Sequence, residues 1–381
     1  MPTEALGSLS QGHAFEIVAR GEDARRWMAR GDAYSAGLAY IHGLIDVRGD
    51  LIEAVRYQLA NTGATWRRQL FDAVCRWTPW RLTQGWAGRA TTARNIRFHY
   101  DRSNEFYRQF LDSRLVYSCA YFKRPGAAQG EDSLDQAQVA KLDHICRKLR
   151  VQNGDRFLDI GCGWGALVIH AAQCFGGTAS GCTLSNRQAA HATERMQRER
   201  LTAAVSIREM DYRDVTGEFD KIASVGMFEH VGQSQVETYF RKIYGLLAPD
   251  GLFLNHGITR PTGVHSDAQS MFFARKVFPG FQLLHLDEVI RTAEHVGFEV
   301  LDVENLRRHY VLTCRAWVER LVGNQNACLK VVDEETWRTW KLYLAGCTVA
   351  FEDGDMGLHQ VLLSKRGDSQ ATPMTRDYMY R

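Results

Sequence analysis

From about residue 151 onward, short apolar runs alternate with stretches whose apolar positions recur every three to four residues. That alternation predicts a parallel sheet flanked by helices. DRFLDI (155–160), GTASGCTL (177–184), AVSIREM (204–210), KIASVG (221–226) and GLFLNHGI (251–258) read as five strands in succession. ALVIHAAQCF, SNRQAAHATERMQRER and QVETYFRKIYGLL read as the helices among them, with Ser185 placed to cap the second. FEVLDVENL and LHQVLLSK are two later strands, and a long helical stretch at about 309–352 lies between them, placed to cap a pocket. Residues 1–96 read as a separate helical N-terminal domain, ahead of a larger domain at 97–381.

Charge changes this picture in one place. The stretch 63–97 holds Arg67, Arg68, Arg76, Arg81, Arg89, Arg94 and Arg97 against the single acid Asp72. It also holds Trp66, Trp77, Trp80 and Trp86, and Pro79 interrupts its helical spacing. One reading is a helix that packs its tryptophans on the next domain and leaves its arginines in water. The other is a surface for anionic lipid headgroups. No nucleic-acid motif accompanies the basic residues.

Composition narrows the class further. The chain has 381 residues and a net charge of +3, so it has no global polyanion-binding character. No apolar run is long enough for a membrane-spanning helix, and the N-terminus reads as no signal peptide. The nine cysteines (Cys75, Cys119, Cys146, Cys162, Cys174, Cys182, Cys314, Cys328, Cys347) are odd in number and form no C-x-x-C pair. Reduced thiols and no metal site are expected.

The chemistry begins at LDIGCGWG (158–165), where Asp159 near the end of a strand is followed by Gly161, Gly163 and Gly165. Glycines there let the backbone approach a ligand at a helix N-terminus. A dinucleotide site would prefer G-x-G-x-x-G and an acid at the end of the next strand. Here the spacing is G-x-G-x-G, and that strand ends without an acid. Two other strands end in polar groups. KIASVG runs into MFEHVG, which carries Glu229 and His230, and GLFLNHGI carries His256. Glu229 alone could be a helix cap and His256 alone a satisfied core histidine. Entering one crevice from adjacent strands, they can hold a small anion or manage a proton.

YSCAYF (117–122), LDIGCGWG, VGMFEHVG, FPG (278–280) and HYVLTCRAW (309–317), together with HYDRSNEFY (99–107) and LAGCTVAF (344–351), resemble the cyclopropane-fatty-acyl-phospholipid synthases and the related mycolic acid cyclopropane synthases. The likeness covers roughly 97–365 and extends more weakly into the N-terminal domain. It implies a doubly wound class I methyltransferase sheet that binds S-adenosylmethionine, with a helical cap over an acyl pocket. It implies transfer of the donor's methyl carbon to a cis double bond of a phospholipid acyl chain, with ring closure by proton loss to bound bicarbonate. The bicarbonate pocket then falls on Glu229, His256, Tyr310, and the backbone of Cys119 and Ile258, with Cys347 lining it. The methyl donor falls on Tyr117, Ser118, Asp159, Gly161, Gly163, Thr183, Gln188, Asp211 and Tyr212.

The same resemblance implies a homodimer in the cytoplasm, bound peripherally to the anionic inner face of the membrane. Arg102, Cys314 and the segment after FPG depart from the usual pattern, which bears on the acyl pocket rather than on the anion ligands. Methyl branching of a fatty acyl chain and N-methylation of a small amine are sister activities on the same fold. A donor-binding regulator without turnover would require a damaged site, and none is visible. A nucleic-acid methyltransferase would require a motif that is missing.

Overall fold

Phe157, Leu158, Asp159 and Ile160 are all buried, so the strand they form is covered on both faces. In the computed structural model, which describes residues 14–28, 33–61, 103–124, 133–262, 283–367 and 372–380, this is β3 (Arg156–Ile160). It lies within a seven-stranded sheet. β4 (Thr178–Thr183) and β5 (Val205–Glu209) extend the sheet on one side. On the other side come β6 (Phe219–Val225) and β7 (Leu247–Thr259). These five strands are parallel, as their order in the chain predicts. The chain leaves β3 in one direction for β4 and returns on the other side for β6, so a crevice opens at the carboxyl ends of β3 and β6.

The last two strands, whose direction the sequence pattern leaves open, complete the sheet. β9 (Gly357–Lys365) lies antiparallel between β7 and β8 (Phe298–Asn305). A strand buried on both faces reads as the same apolar run whichever way it points, and Leu358, Val361, Leu362 and Leu363 are all buried.

The N-terminal residues depart from expectation. Three helices are present among the described residues, α1 (Glu22–Met28), α2 (Ala33–Ile41) and α3 (Leu51–Asn61). The helical reading misses β1 (Phe15–Ala19) and β2 (Ile45–Gly49), which pair antiparallel. Both are five residues long and rich in β-branched side chains, and glycines 21, 43 and 49 punctuate them. Such short pieces carry too few residues to show a period.

Around the sheet lie α4 (Asn104–Tyr107), α5 (Leu134–Lys148), α6 (Ala166–Phe175), α7 (Asn186–Arg198), α8 (Val236–Leu246) and α9 (Leu286–Val296). Ser133 and Gln136 form a capping box on α5, and Ser185 caps α7 as expected. The 309–352 region is three helices, α10 (Arg307–Gly323), α11 (Gln325–Cys328) and α12 (Glu334–Asp353). Asp333 caps α12 by accepting from the Thr336 N–H at 2.7 Å.

α12 also carries the N-terminal elements. Tyr40, Ile45 and Leu51 share one apolar cluster with Trp337 and Trp340. Arg338 donates to the Tyr40 carbonyl at 3.2 Å and to Asp46 at 3.2 Å. The arginine- and tryptophan-rich stretch 63–97, the proposed boundary at 96, residues 99–102 and the FPG at 278–280 lie outside the described residues.

Candidate active site

The turn after β3 is built on left-handed backbone. Gly161 has φ +81°, Gly163 φ +53°, and Gly165, at the start of α6, φ +81°. The N–H groups of Gly161 and Cys162 both donate to the Cys182 carbonyl at 2.9 Å, which pins the loop to the end of β4. The cavity above it is lined by Tyr117, Ser118, Asp159, Gly161, Gly163, Thr183, Gln188, Asp211 and Tyr212. All nine positions assigned to the methyl donor therefore meet at one cavity.

Their states differ. Thr183 donates to Gln188 Oε1 at 2.7 Å, and the Gln188 N–H donates to Ser185 Oγ, a polar knot at the N-terminus of α7. The Asp211 carboxylate is held by Arg213 at 2.5 and 2.8 Å, and that guanidinium lies 5.6 Å from the Tyr212 ring centre. Asp159 accepts no hydrogen bond among the described residues, and its Oδ1 is fully buried. Burial pushes its carboxyl up to about 7, against the pull of Lys141. Lys141 and Arg213 line the same cavity and were not singled out from the sequence. The signal for Lys141 was available: it falls on the apolar face of α5, three residues before His144 and seven before Lys148, all three buried.

Glu229 sits on a single 3₁₀ turn (Phe228–His230) that follows β6. Its Oε1 accepts the Ile258 backbone N–H at 2.7 Å, while its buried Oε2 has no partner among the described residues. Burial raises its pKa to about 7, and the Ile258 N–H only partly offsets this. His256 lies on the neighbouring strand, where its carbonyl accepts the Gly226 N–H at 2.9 Å. The His256 Nδ1 is 3.2 Å from the Gln360 amide nitrogen on β9, and burial pushes the imidazole down to about 3, so the ring is neutral.

Tyr310, in the first turn of α10, packs on Phe351 at 4.5 Å and on Trp317 at 6.0 Å between ring centres. Burial raises its phenol, and Cys314, Cys119, Glu229 and Cys347 lie close enough to raise it further. Cys119, Ile258, Tyr310 and Cys347 belong to one apolar cluster. Trp317 joins the two halves of the site, because its ring is also 5.2 Å from that of Tyr117 in the donor cavity. No spacing signal in the sequence pointed to Trp317.

Cys119 is fully buried, with its Sγ donating to the Ala120 carbonyl at 3.2 Å. Burial raises its thiol far above the ordinary range. The backbone N–H of Ile258, whose backbone the resemblance assigns to the anion pocket, donates to Glu229.

Residues 88–361 match the family described as mycolic acid cyclopropane synthetase. The chain is 41% identical over 355 residues to a probable fatty acid methyltransferase of Pseudomonas putida, covering 91% of this chain and 86% of that protein. It is 36% identical over 269 residues to the cyclopropane-fatty-acyl-phospholipid synthase of Escherichia coli (strain K12), covering 70% of this chain and 66% of that one. The crystal structure of the mycolic acid cyclopropane synthase CmaA1 complexed with SAH and CTAB superposes with a TM-score of 0.66 at 32% identity, over 72% of this chain and 98% of that chain.

Proposed function

This chain belongs to the mycolic acid cyclopropane synthetase family of methyltransferases that use S-adenosylmethionine, and we propose that it converts the cis double bond of an unsaturated phospholipid acyl chain into a cyclopropane ring. One observation carries the reading. Glu229 Oε2 is buried without a partner among the described residues, and Glu229 acts on Tyr310, which Trp317 joins to Tyr117 in the cavity that collects every donor position.

S-adenosylmethionine supplies, when bound, an electrophilic methyl group. An alkene is a weak nucleophile, so the protein's task is to align it and to exclude water. Methyl transfer leaves positive charge on the acyl chain. Tyr117, Trp317 and Tyr310 offer aromatic faces to that charge. Cys119 and Cys347 do not compete for it, because burial keeps both thiols protonated. Ring closure then needs a proton acceptor near the new methyl group.

The residues fit bicarbonate in that role. An anion carrying its own proton can donate to Glu229 Oε2, and the Tyr310 hydroxyl and His256 imidazole are the donors for its remaining oxygens. Bicarbonate would supply a small oxygen base, a weaker nucleophile toward the cation than a thiolate.

A second reading, methyl branching without ring closure, is favoured by the relative named a fatty acid methyltransferase. Both readings share the first bond and part at the cation: loss of a proton from the new methyl group with C–C bond formation closes the ring, whereas a hydride shift followed by proton loss leaves an exomethylene, which a separate hydride donor would have to reduce to a methyl branch. Incubation with S-adenosylmethionine and vesicles of cis-monounsaturated phospholipid distinguishes them. Gain of one CH₂ with loss of the vinyl protons in NMR supports ring closure, whereas a methyl-branched or exomethylene product would replace that reading with the second.

Action on phospholipid implies work at a membrane surface, which the same proposal sets at the cytoplasmic face, and the basic, tryptophan-rich composition of 63–97 supports docking there. No helix among the described residues is long and apolar enough to cross a membrane. The homodimer that the resemblance implies is part of the same proposal.

A further inference from the structure

Lys141 is a lysine in an unusual place. It is only 2% exposed, on the buried face of α5, and it lines the donor cavity. One of its N–H bonds goes to Ser118 Oγ at 2.9 Å. No carboxylate among the described residues forms an ion pair with it; the pairs that bury a cation nearby involve Lys148, which meets Asp302 at 3.2 Å and Glu304 at 2.6 Å. Asp112 faces Lys141 electrostatically, but its oxygens are taken by the backbone N–H groups of Val116 and Arg114. Asp159 in the same cavity also acts on it without forming an ion pair. A buried ammonium with no ion-paired carboxylate is costly, and two of its three donors have no partner among the described residues. Ser118 accepts from Lys141 and retains its own hydroxyl proton, so both side chains present donors to the same cavity.

The cavity has two ends. Thr183, Gln188, Asp211 and Tyr212 come from the exits of β4 and β5, whereas Lys141 and Ser118 stand beside Asp159 and Gly161 at the exit of β3. We propose that Lys141, together with the Ser118 hydroxyl, binds the carboxylate of the methyl donor's amino-acid end and thereby sets which way round the donor lies. The proposal rests on the donor-cavity reading above. The lysine supplies the charge, and the serine fixes the direction from which the carboxylate meets it. The depressed pKa of Lys141, about 8, is what a desolvated ammonium shows before an anion reaches it.

The test compares two probes, S-adenosylhomocysteine and its decarboxylated analogue, by calorimetry on the full chain. The unaltered protein should bind the decarboxylated probe ~10–100-fold more weakly, the worth of a hydrogen bond to a charged group. Lys141→Met should weaken S-adenosylhomocysteine by a similar factor and leave the decarboxylated probe nearly unchanged. A merely structural role would weaken both together. Ser118→Ala, a smaller change, should reduce the discrimination in part. Equal affinity of the unaltered protein for the two probes overturns the assignment whether or not Lys141→Met folds. Failure to bind either probe would instead overturn the donor-cavity reading, and the assignment with it.

Discussion

The Ile258 backbone N–H donates to Glu229 Oε1 across 2.7 Å and leaves Oε2 buried and without a partner among the described residues. One oxygen anchors the carboxylate, and the group lies close enough to Tyr310 to help raise its phenol. Glu229→Gln keeps an oxygen for Ile258 and replaces the acceptor with an NH₂. Turnover should fall by roughly 10²–10⁴-fold, the range for losing a positioned base or its support. Binding of S-adenosylhomocysteine should stay within about threefold, because Glu229 does not line the donor cavity. Product analysis by mass spectrometry and calorimetry on the same preparation check both halves, and near-normal turnover would remove Glu229 from the mechanism.

The pH response has two parts of opposite consequence. If ionised Glu229 is the working form, turnover at saturating substrate should rise as pH rises through about 7, the pKa to which burial lifts it. Stability should move the other way. Glu229 and Asp159 both have folded pKa values near 7, above their usual 4.5 and 3.8. The folded chain therefore holds protons that the unfolded chain releases, and this contribution to stability is lost as pH climbs from about 4.5 through 7. Thermal unfolding of Glu229→Gln, which cannot ionise, should show a shallower decline over that window than the unaltered protein. Parallel declines would mean that burial does not hold Glu229 protonated.

Cys119 occupies the centre of YSCAYF, between Tyr117 of the donor cavity and Phe122, whose N–H donates to His309 on α10. Its burial and its bond to the Ala120 carbonyl describe a packing residue. Cys119→Ser retains a donor for that carbonyl and should keep turnover within about tenfold, since no nucleophile is lost. Iodoacetamide on the folded protein should label the exposed Cys174 and spare Cys119 until denaturant is added. A Cys119→Ser enzyme with no turnover but normal donor binding would make the Cys119 thiol a participant in the reaction.

Much of this site was readable because its parts sit at the carboxyl ends of β3, β4, β5, β6 and β7, where strand exits are marked by short polar or glycine-rich breaks. Asp159, Thr183, Asp211, Glu229 and His256 each follow or end an apolar run. Lys141 and Trp317 do not. They act from helix faces, where a charged or aromatic residue within an apolar stripe looks like an irregularity of packing until the opposing elements are known. The antiparallel β9 was hidden for a related reason, since burial on both faces erases the alternation that would distinguish one kind of neighbour from another. The stacking of Tyr121 between His144 and His309, at 4.4 and 4.6 Å, joins residues far apart in the chain and leaves no local trace.

Gly161 and Gly163 have the same role in the sequence motif but different surroundings. At Gly163, φ is +53°, close to the left-handed minimum, and a Cβ would meet no atom within 4 Å. Alanine there should cost only ~1–2 kcal/mol of stability. Its methyl group would, however, stand in the donor cavity that Gly163 lines, so affinity for S-adenosylhomocysteine should fall more than stability does. At Gly161, φ is +81°, and a Cβ would lie 2.9 Å from both Cβ and Cγ of Met227. Those atoms are the root of that side chain and cannot swing clear as its tip could. Gly161→Ala should therefore add an overpacking cost of ~1–3 kcal/mol to the backbone strain and lower the unfolding midpoint well below that of Gly163→Ala. Thermal denaturation and calorimetry on the two variants should rank them in opposite orders. The same order in both measurements would mean that the loop has one function at both positions, either spacing or contact, rather than a division between them.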